Sequence, residues 1–328
     1  MSKPFEKEVY FAMAIDPVHI GTGGYRLGRG DMSIVRDVST EIPKIPATSL
    51  TGPARAYTAM QTNKYRWKEE DTEYSCTGRG GEGGENHCGE PAPACPVCIP
   101  YGFSKGNYSM QGLAQFFDAH IVFFPVATVI GPLWVTSPMM LDFIENENFE
   151  IGDERFYPLA DEIKNKRLNF GWLMLEKDYQ GKGSLKNAKD IPVRSLPPAY
   201  LANRIVLVSD KNISRIINSN LEVRTSVSID PATGAAEDGA LFTYEAIPRG
   251  TILRFEVVYN NPGNFRVNNQ EIMINNHNSS GLIPATIDWV KKQVESSFQF
   301  FKDLGIGGMN TRGMGRLKIF NPDREGDK

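Results

Sequence analysis

The sequence predicts an α+β fold, and three observations predict it. Apolar Val9, Phe11, Met13 and Ile15 alternate with smaller or polar neighbours, the period-two pattern of a half-buried strand. Near the other end, Ile287, Val290, Val294, Phe298, Phe301 and Leu304 share one face at helical spacing. Between them, strand-like and helix-like stretches interleave without the regular alternation that a doubly wound parallel sheet requires.

Taken in order, residues 8–16 form the first strand, and a turn-rich loop from His19 to Asp31 leads to a short extended piece at 32–37. Residues 43–55 enter a helix that runs to about Gln61, with Thr48 or Ser49 as cap and Pro53 near the first turn, where its missing N–H does no harm. Residues 63–112 are rich in Gly, Glu and Cys, lack either hydrophobic period and read as an insertion. Strands follow at 116–126, 133–136, 204–209, 221–229, 241–247 and 252–259, with a helix capped by Asp210 between the third and fourth. Residues 146–200 are mixed, and the basic, glycine-containing stretch 177–189 reads as a loop or hairpin. A ferredoxin-like β-α-β-β-α-β core, the plan that RNA-recognition modules use, accommodates this order with large insertions. The chain thus divides into an N-terminal part of the core (1–62), a cysteine-rich insertion (63–112) and the remainder of the core (113–328).

Composition narrows the function. No apolar run approaches the ~20 residues that cross a bilayer, and the polar start Met1-Ser-Lys-Pro-Phe-Glu shows no signal peptide, so a cytoplasmic protein is expected. A net charge of −3 argues against a protein that coats nucleic acid on its own, while leaving room for a local basic groove.

All four cysteines, Cys76, Cys88, Cys95 and Cys98, fall in one segment with the spacing C-x11-C-x6-C-x2-C. The Cys95-Pro-Val-Cys98 pair has the spacing of half a structural zinc site, and four thiolates close a tetrahedron with no open position. His87 beside Cys88 is an alternative ligand. The segment has almost no large apolar side chain, so a bound Zn²⁺ supplies folding free energy that burial cannot. The other reading is four reduced, unligated thiols.

The stretch Gly305-Ile-Gly-Gly-Met-Asn-Thr-Arg-Gly-Met-Gly315 carries five glycines in eleven residues, with Arg312, Arg316 and Lys318 among and beyond them. Such a backbone can reach positive φ and lie against a ligand, and guanidinium forks with free N–H groups suit a phosphate chain. A plain helix-to-strand connection is the other reading.

Several separated segments together resemble one family. Pro17-Val-His-Ile-Gly-Thr-Gly23, Asp31 with Ile34-Val-Arg-Asp37, Ile45-Pro-Ala-Thr-Ser-Leu-Thr-Gly52 with Arg55, and the closing Gly307-Gly-Met-Asn-Thr-Arg-Gly-Met-Gly315 resemble backbone subunits of the RAMP superfamily from type III CRISPR effector complexes, an antiviral defence. Phe124-Pro-Val with Trp134-Val-Thr-Ser-Pro138, Arg204-Ile-Val-Leu-Val-Ser-Asp210 and Leu241-Phe-Thr-Tyr-Glu245 point to the Cmr (type III-B) branch.

The resemblance implies an RNA-binding subunit that repeats along a guide RNA, meets further copies of itself and other type III subunits, and cuts complementary target RNA beside a base pair displaced by a thumb-like hairpin. Cleavage in the family needs a divalent metal, Mg²⁺ or Mn²⁺, and an aspartate whose position matches Asp31. Read from its own surroundings, Asp31 is a carboxylate in a glycine-flanked loop, able to accept a proton or hold a cation near a phosphate, or an ordinary turn aspartate. Asp37 caps or braces the loop. His19 transfers a proton or is structural, and Tyr244 and Glu245 match a second position that the family links to cleavage.

Ser49, Thr51, Arg55, Gly307, Gly308, Arg312, Gly313, Gly315 and Arg316 are the expected RNA contacts. The family's Ser-Leu-Lys-Gly is here Ser49-Leu-Thr51-Gly52, so one phosphate contact passes to Arg55 and to the positive end of its helix. Two rivals remain: a non-cleaving guide-binding scaffold of the same kind, and a zinc-stabilised interaction module without nucleic acid.

Overall fold

A computed structural model describes residues 3–25, 32–70, 72–78, 85–144, 151–159, 163–179, 203–237, 241–276 and 280–321. Asp31 and residues 180–202, which include most of the basic stretch 177–189, lie outside the described residues. In chain order the first elements are β1 (Phe5–Ala14), β2 (Gly21–Tyr25), β3 (Met32–Ile34), β4 (Lys44–Ile45) and α1 (Ala47–Gln61). Next come β5 (Trp67–Glu69), β6 (Thr72–Tyr74), α2 (Cys98–Tyr101), β7 (Gly102–Lys105), β8 (Tyr108–Gln111), β9 (Ala114–Phe116), β10 (Ala119–Thr128) and β11 (Gly131–Thr136). The middle of the chain gives β12 (Arg155–Pro158), β13 (Arg167–Phe170), β14 (Leu173–Lys177), β15 (Ile205–Val208), α3 (Asp210–Ser219), β16 (Glu222–Ser226), β17 (Phe242–Ala246) and β18 (Ile252–Asn260). The last elements are β19 (Met273–Asn275), β20 (Leu282–Pro284), α4 (Ile287–Glu295), α5 (Phe298–Asp303) and β21 (Leu317–Phe320). Among the described residues, no helix is long and apolar enough to cross a membrane.

The chain forms two compact units, each assembled from three separated segments. One comprises Met1–Tyr10, Pro46–Asp118 and Phe255–Ile306. Its apolar centre gathers aromatic rings: Tyr57 of α1 stacks on Phe300 at 5.6 Å and meets Phe301 edge-on at 5.7 Å, while Tyr10 meets Phe298 edge-on at 5.0 Å. The single amphipathic helix expected over 287–304 is broken at Ser296 and Ser297 into α4 and α5. The Ser296 and Ser297 hydroxyls donate back to the Gln293 and Val294 carbonyls, the local competition that bends helices.

Two helix starts also differ from expectation. Neither Thr48 nor Ser49 caps α1; the cap is Pro46, and Asp118 instead accepts the Ala47 N–H at 2.8 Å. Pro53 sits inside the helix, past the first turn. The cap of α3 is Ser209, and the Asp210 carboxylate accepts from the Met139 N–H at 2.9 Å.

The second unit comprises Phe11–Ile45, Ala119–Arg254 and Gly307–Lys328. The largest sheet of the chain runs β13-β14-β12-β15-β11-β10-β18-β1-β21, with β11 and β15 parallel, as are β12 and β14. The strand β1 lies between two neighbours, and Tyr10, Phe11, Ala12 and Ala14 are all buried, so it is covered on both faces rather than on the one face that the alternation suggested. A four-stranded sheet, β16-β17-β3-β2, carries the residues considered next.

Candidate functional site

The second unit brings His19 to a crossing of three backbone segments. Val18 and Ile247 exchange N–H···O bonds at 2.8 and 2.9 Å, which ties the chain before β2 to the end of β17. The Gly308 N–H donates to the His19 carbonyl at 2.9 Å. The imidazole is buried, its Nδ1–H donates to the Glu245 carbonyl at 2.6 Å, and the Tyr244 ring stands edge-on at 5.9 Å. That bond fixes the tautomer of the neutral ring and leaves the lone pair on Nε2. A β-carbon on Gly21 would stand 3.1 Å from Nε2, so this nitrogen lies against β2, whose partner strand β3 begins directly after Asp31 in the chain.

Several expected site residues are held by partners within the chain. Tyr244 is 3% exposed and packs with Ala246 and Met314 under Met32, Phe242 and Met309, so its ring belongs to a small core. The Glu245 carboxylate is held in a half-buried ion pair with Arg36 at 2.8 Å. Asp37 does brace its loop: its Oδ1 accepts from the Ser39 hydroxyl at 2.6 Å and the Ser39 N–H at 3.0 Å, and Lys44 stands 3.4 Å from Oδ2. The Ser39 hydroxyl is the largest cause that holds the Asp37 carboxyl well below the usual carboxylate range.

The glycine-rich loop is shaped differently from an N–H cradle. The amides of Gly308, Arg312, Gly313 and Gly315 donate to the carbonyls of His19, Met309, Asn310 and Pro17, so these groups are spent inside the chain. Glycine is required for approach instead: Gly307 has φ +76°, and a β-carbon there would sit 2.5 Å from the His19 carbonyl oxygen. Arg312 is exposed with its guanidinium 5.3 Å over the Phe242 ring, whereas Arg316 is engaged by the Asp16 carboxylate. The loop contributes shape and one presented cation.

Ser49, Thr51 and Arg55 lie on α1 in the first unit. Thr51 donates its hydroxyl to the Ala47 carbonyl at 2.8 Å, and the positive end of α1 faces the Asp118 carboxylate rather than an open surface. Arg55 reaches the cysteine segment, donating from Nε to the Cys76 carbonyl at 2.6 Å and standing 3.1 Å from His87 Nε2.

The four cysteines are unpaired as disulfides, and their Sγ atoms all lie within 4.8 Å of one another in a buried cluster. Sγ separations of 3.5 Å for Cys76–Cys88, 3.8 Å for Cys76–Cys95 and 3.9 Å for Cys88–Cys98 compare with the ~3.8 Å edge of a tetrahedron built on Zn–S bonds of ~2.3 Å. The Cys98 N–H points at Cys95 Sγ from 3.3 Å, a bond that steadies a thiolate. Contact with Cys76 pulls the Cys88 thiol down and pushes Cys98 up, because clustered sulfurs cannot all ionise unless a cation joins them. His87 is no member of the set: it is buried beside Arg55, and burial lowers its pKa.

Reading the sequence missed Arg36, Asp118 and Phe242. Their roles depend on partners far away in the chain; Arg36, beside Asp37, and Phe242, in Leu241-Phe-Thr-Tyr-Glu245, stand inside segments that carry the family resemblance, and Asp118 does not.

Comparisons with known proteins agree with this architecture. The pattern of the RAMP superfamily matches residues 12–318. The CRISPR system Cmr endoribonuclease Cmr4 of Pyrococcus furiosus is 25% identical over 260 residues, which cover 73% of this chain and 76% of that one. Among solved structures, a type III-B Cmr-beta complex bound to cognate target RNA contains a chain that matches with a TM-score of 0.59 and 16% identity, over 97% of this chain and 98% of that one. Oligomeric Cmr4 from Pyrococcus furiosus matches with a TM-score of 0.54 and 16% identity, over 96% and 99%. With nearly its whole length matched, this chain belongs to the RAMP superfamily.

Proposed function

We propose that this protein is a backbone subunit of a type III CRISPR effector complex, which holds guide RNA beside further copies of itself and cleaves complementary target RNA. The observation that carries the reading is the fixed His19 ring, its Nδ1–H on the Glu245 carbonyl and its Nε2 against β2, the strand that precedes Asp31 in the chain. A relative 25% identical is itself an endoribonuclease.

In this reading the target phosphodiester is cut by in-line attack of the neighbouring 2′-OH. Asp31 accepts the hydroxyl proton or holds Mg²⁺ or Mn²⁺, and His19 serves proton transfer through Nε2. Among the described residues the four cysteines are the one group of three or more His, Cys, Asp or Glu side chains that could hold a metal; the cleavage cation would be held by Asp31. Such a cation supplies charge stabilisation at the phosphoryl oxygens. Arg312 and the loop from Gly307 to Gly315 meet the RNA backbone, as do Ser49 and Thr51. The cysteines hold a structural Zn²⁺ through sulfur alone. The sheet order β21-β1-β18-β10, with α1 after β1 and α4 and α5 after β18 in the chain, supports the ferredoxin-like reading of the core.

A non-cleaving scaffold is the second reading, and one observation favours it: Tyr244 and Glu245, two of the four expected catalytic residues, are occupied within the chain. The test incubates the guide-loaded complex with labelled complementary RNA and Mg²⁺, comparing wild type with Asp31→Ala. Regularly spaced cuts that vanish in the variant, with target binding retained, support the nuclease. Binding without cuts in the wild type makes the chain a scaffold, and unchanged cuts in the variant move the active site away from Asp31.

A further inference from the structure

Among the described residues, β3 meets β17 through one parallel pairing, Tyr244 with Met32. One side chain spans this junction. Arg36, two residues beyond β3, donates from one terminal nitrogen to Glu245 Oε2 at 2.8 Å and from the other to the Ile34 carbonyl at 3.0 Å. Its Nε donates to Asn218 Oδ1 of α3 at 2.8 Å, and Asn218 in turn donates to the Glu41 carbonyl at 2.9 Å. The ion pair is mostly covered, at 19% and 13% side-chain exposure, so solvent does little to loosen it. Glu245 therefore has two holds at once, its carboxylate on Arg36 and its carbonyl on the His19 ring.

We propose that Arg36 is a positioning residue that latches β3 to β17 through Glu245, and that Glu245 is the anchor of this latch rather than a ligand of the cleavage cation or an acid–base group. A planar fork with three fixed directions is needed, which a lysine cannot reproduce at equal charge. The functional consequence rests on the nuclease reading above, since the latch sets both the His19 ring and the strand that begins immediately after Asp31.

Two measurements test it. The first needs no cleavage: hydrogen exchange of the purified protein, read on peptides covering 32–36 and 242–247. Arg36→Lys is expected to speed exchange there by about tenfold, and Glu245→Gln, with its acceptor oxygen retained, by far less. The second is the single-turnover cutting rate of the guide-loaded complex. Arg36→Lys is expected to lower it by roughly 10- to 100-fold with target affinity unchanged, the scale of loss from an ångström-sized misplacement. Glu245→Gln, which keeps an acceptor for Arg36, is expected to cost less than about tenfold and to leave the half-saturating Mg²⁺ concentration unchanged.

Unaltered exchange in Arg36→Lys overturns the latch. So does a Glu245→Gln variant that abolishes cutting or raises the Mg²⁺ requirement while exchange over 242–247 stays protected, which would make Glu245 a catalytic residue. If the wild-type complex does not cut at all, the nuclease reading falls, and the exchange data alone decide the latch.

Discussion

The Gly308 N–H meets the His19 carbonyl at 2.9 Å, so a loop near one end of the chain is joined to a turn near the other at the residue whose ring Glu245 orients. The neighbouring Gly307 lies so close that a β-carbon there would stand 2.5 Å from the same carbonyl oxygen.

Gly307 tests the close approach. A methyl group there would meet the His19 carbonyl oxygen at 2.5 Å and occupy φ +76°, so Gly307→Ala is expected to cost on the order of 1–3 kcal/mol and to weaken His19-dependent activity with it. Gly313→Ala shares the φ of +76° but has nothing within 4 Å of its added carbon, so it carries only the conformational part. Thermal melting of both variants separates the clash from the backbone strain, and equal losses would refute the contact.

The cysteine cluster predicts ~1 zinc per chain with no open coordination position. Cys98→Ser is expected to lose the metal and lower the melting temperature, and a strong chelator is expected to do the same to the wild type. Elemental analysis before and after chelation checks this; a metal-free protein of unchanged stability would contradict it.

Arg55 supports the cysteine segment from outside, through the Cys76 carbonyl and His87. Arg55→Ala is expected to speed zinc loss to a chelator by about 10- to 100-fold, the range seen when partners around a metal site are removed. Guide-RNA affinity is expected to change by less than about threefold, since this guanidinium is already committed; a larger loss of RNA binding with zinc retained would restore Arg55 to the RNA contacts.

Asp37 gives a pH signature. Its carboxyl is held below the ordinary range chiefly by the Ser39 hydroxyl, so the ionised form stabilises the fold at and above the unfolded value of ~3.9. That contribution is lost as pH falls through the lower folded value. Asp37→Asn is therefore expected to melt below the wild type at pH 7, with the gap closing under acid; a gap that widens would reverse the sign.

Much of this was legible in the sequence. Strands such as Ile205–Val208 and Ile252–Asn260 are read from β-branched and aromatic runs, and the cysteines from spacing alone. The strands Arg155–Pro158, Arg167–Phe170 and Leu173–Lys177 are not, because they are short and their ladders, not their composition, hold them extended. His19 and the close approach at Gly307 follow from local chemistry, whereas the occupation of Glu245 by Arg36 depends on a partner 209 positions away. The surroundings of Tyr244 are hidden from the sequence for the same reason: what packs over a polar aromatic on a strand comes from elsewhere in the chain, here Met309 and Met314 from its far end.

The pairing of β1 with β21 sets the timetable of synthesis. Phe11 pairs with Phe320, so the edge beside β1 stays open while roughly 300 further residues are translated, on the order of 15–60 s at cellular rates. A nascent chain in that interval exposes an unpaired, largely apolar strand to every neighbour on the polysome, the situation in which edges aggregate. Slower initiation, lower growth temperature or a holding chaperone during expression should therefore raise the yield of folded protein more than any change made to its finished surface.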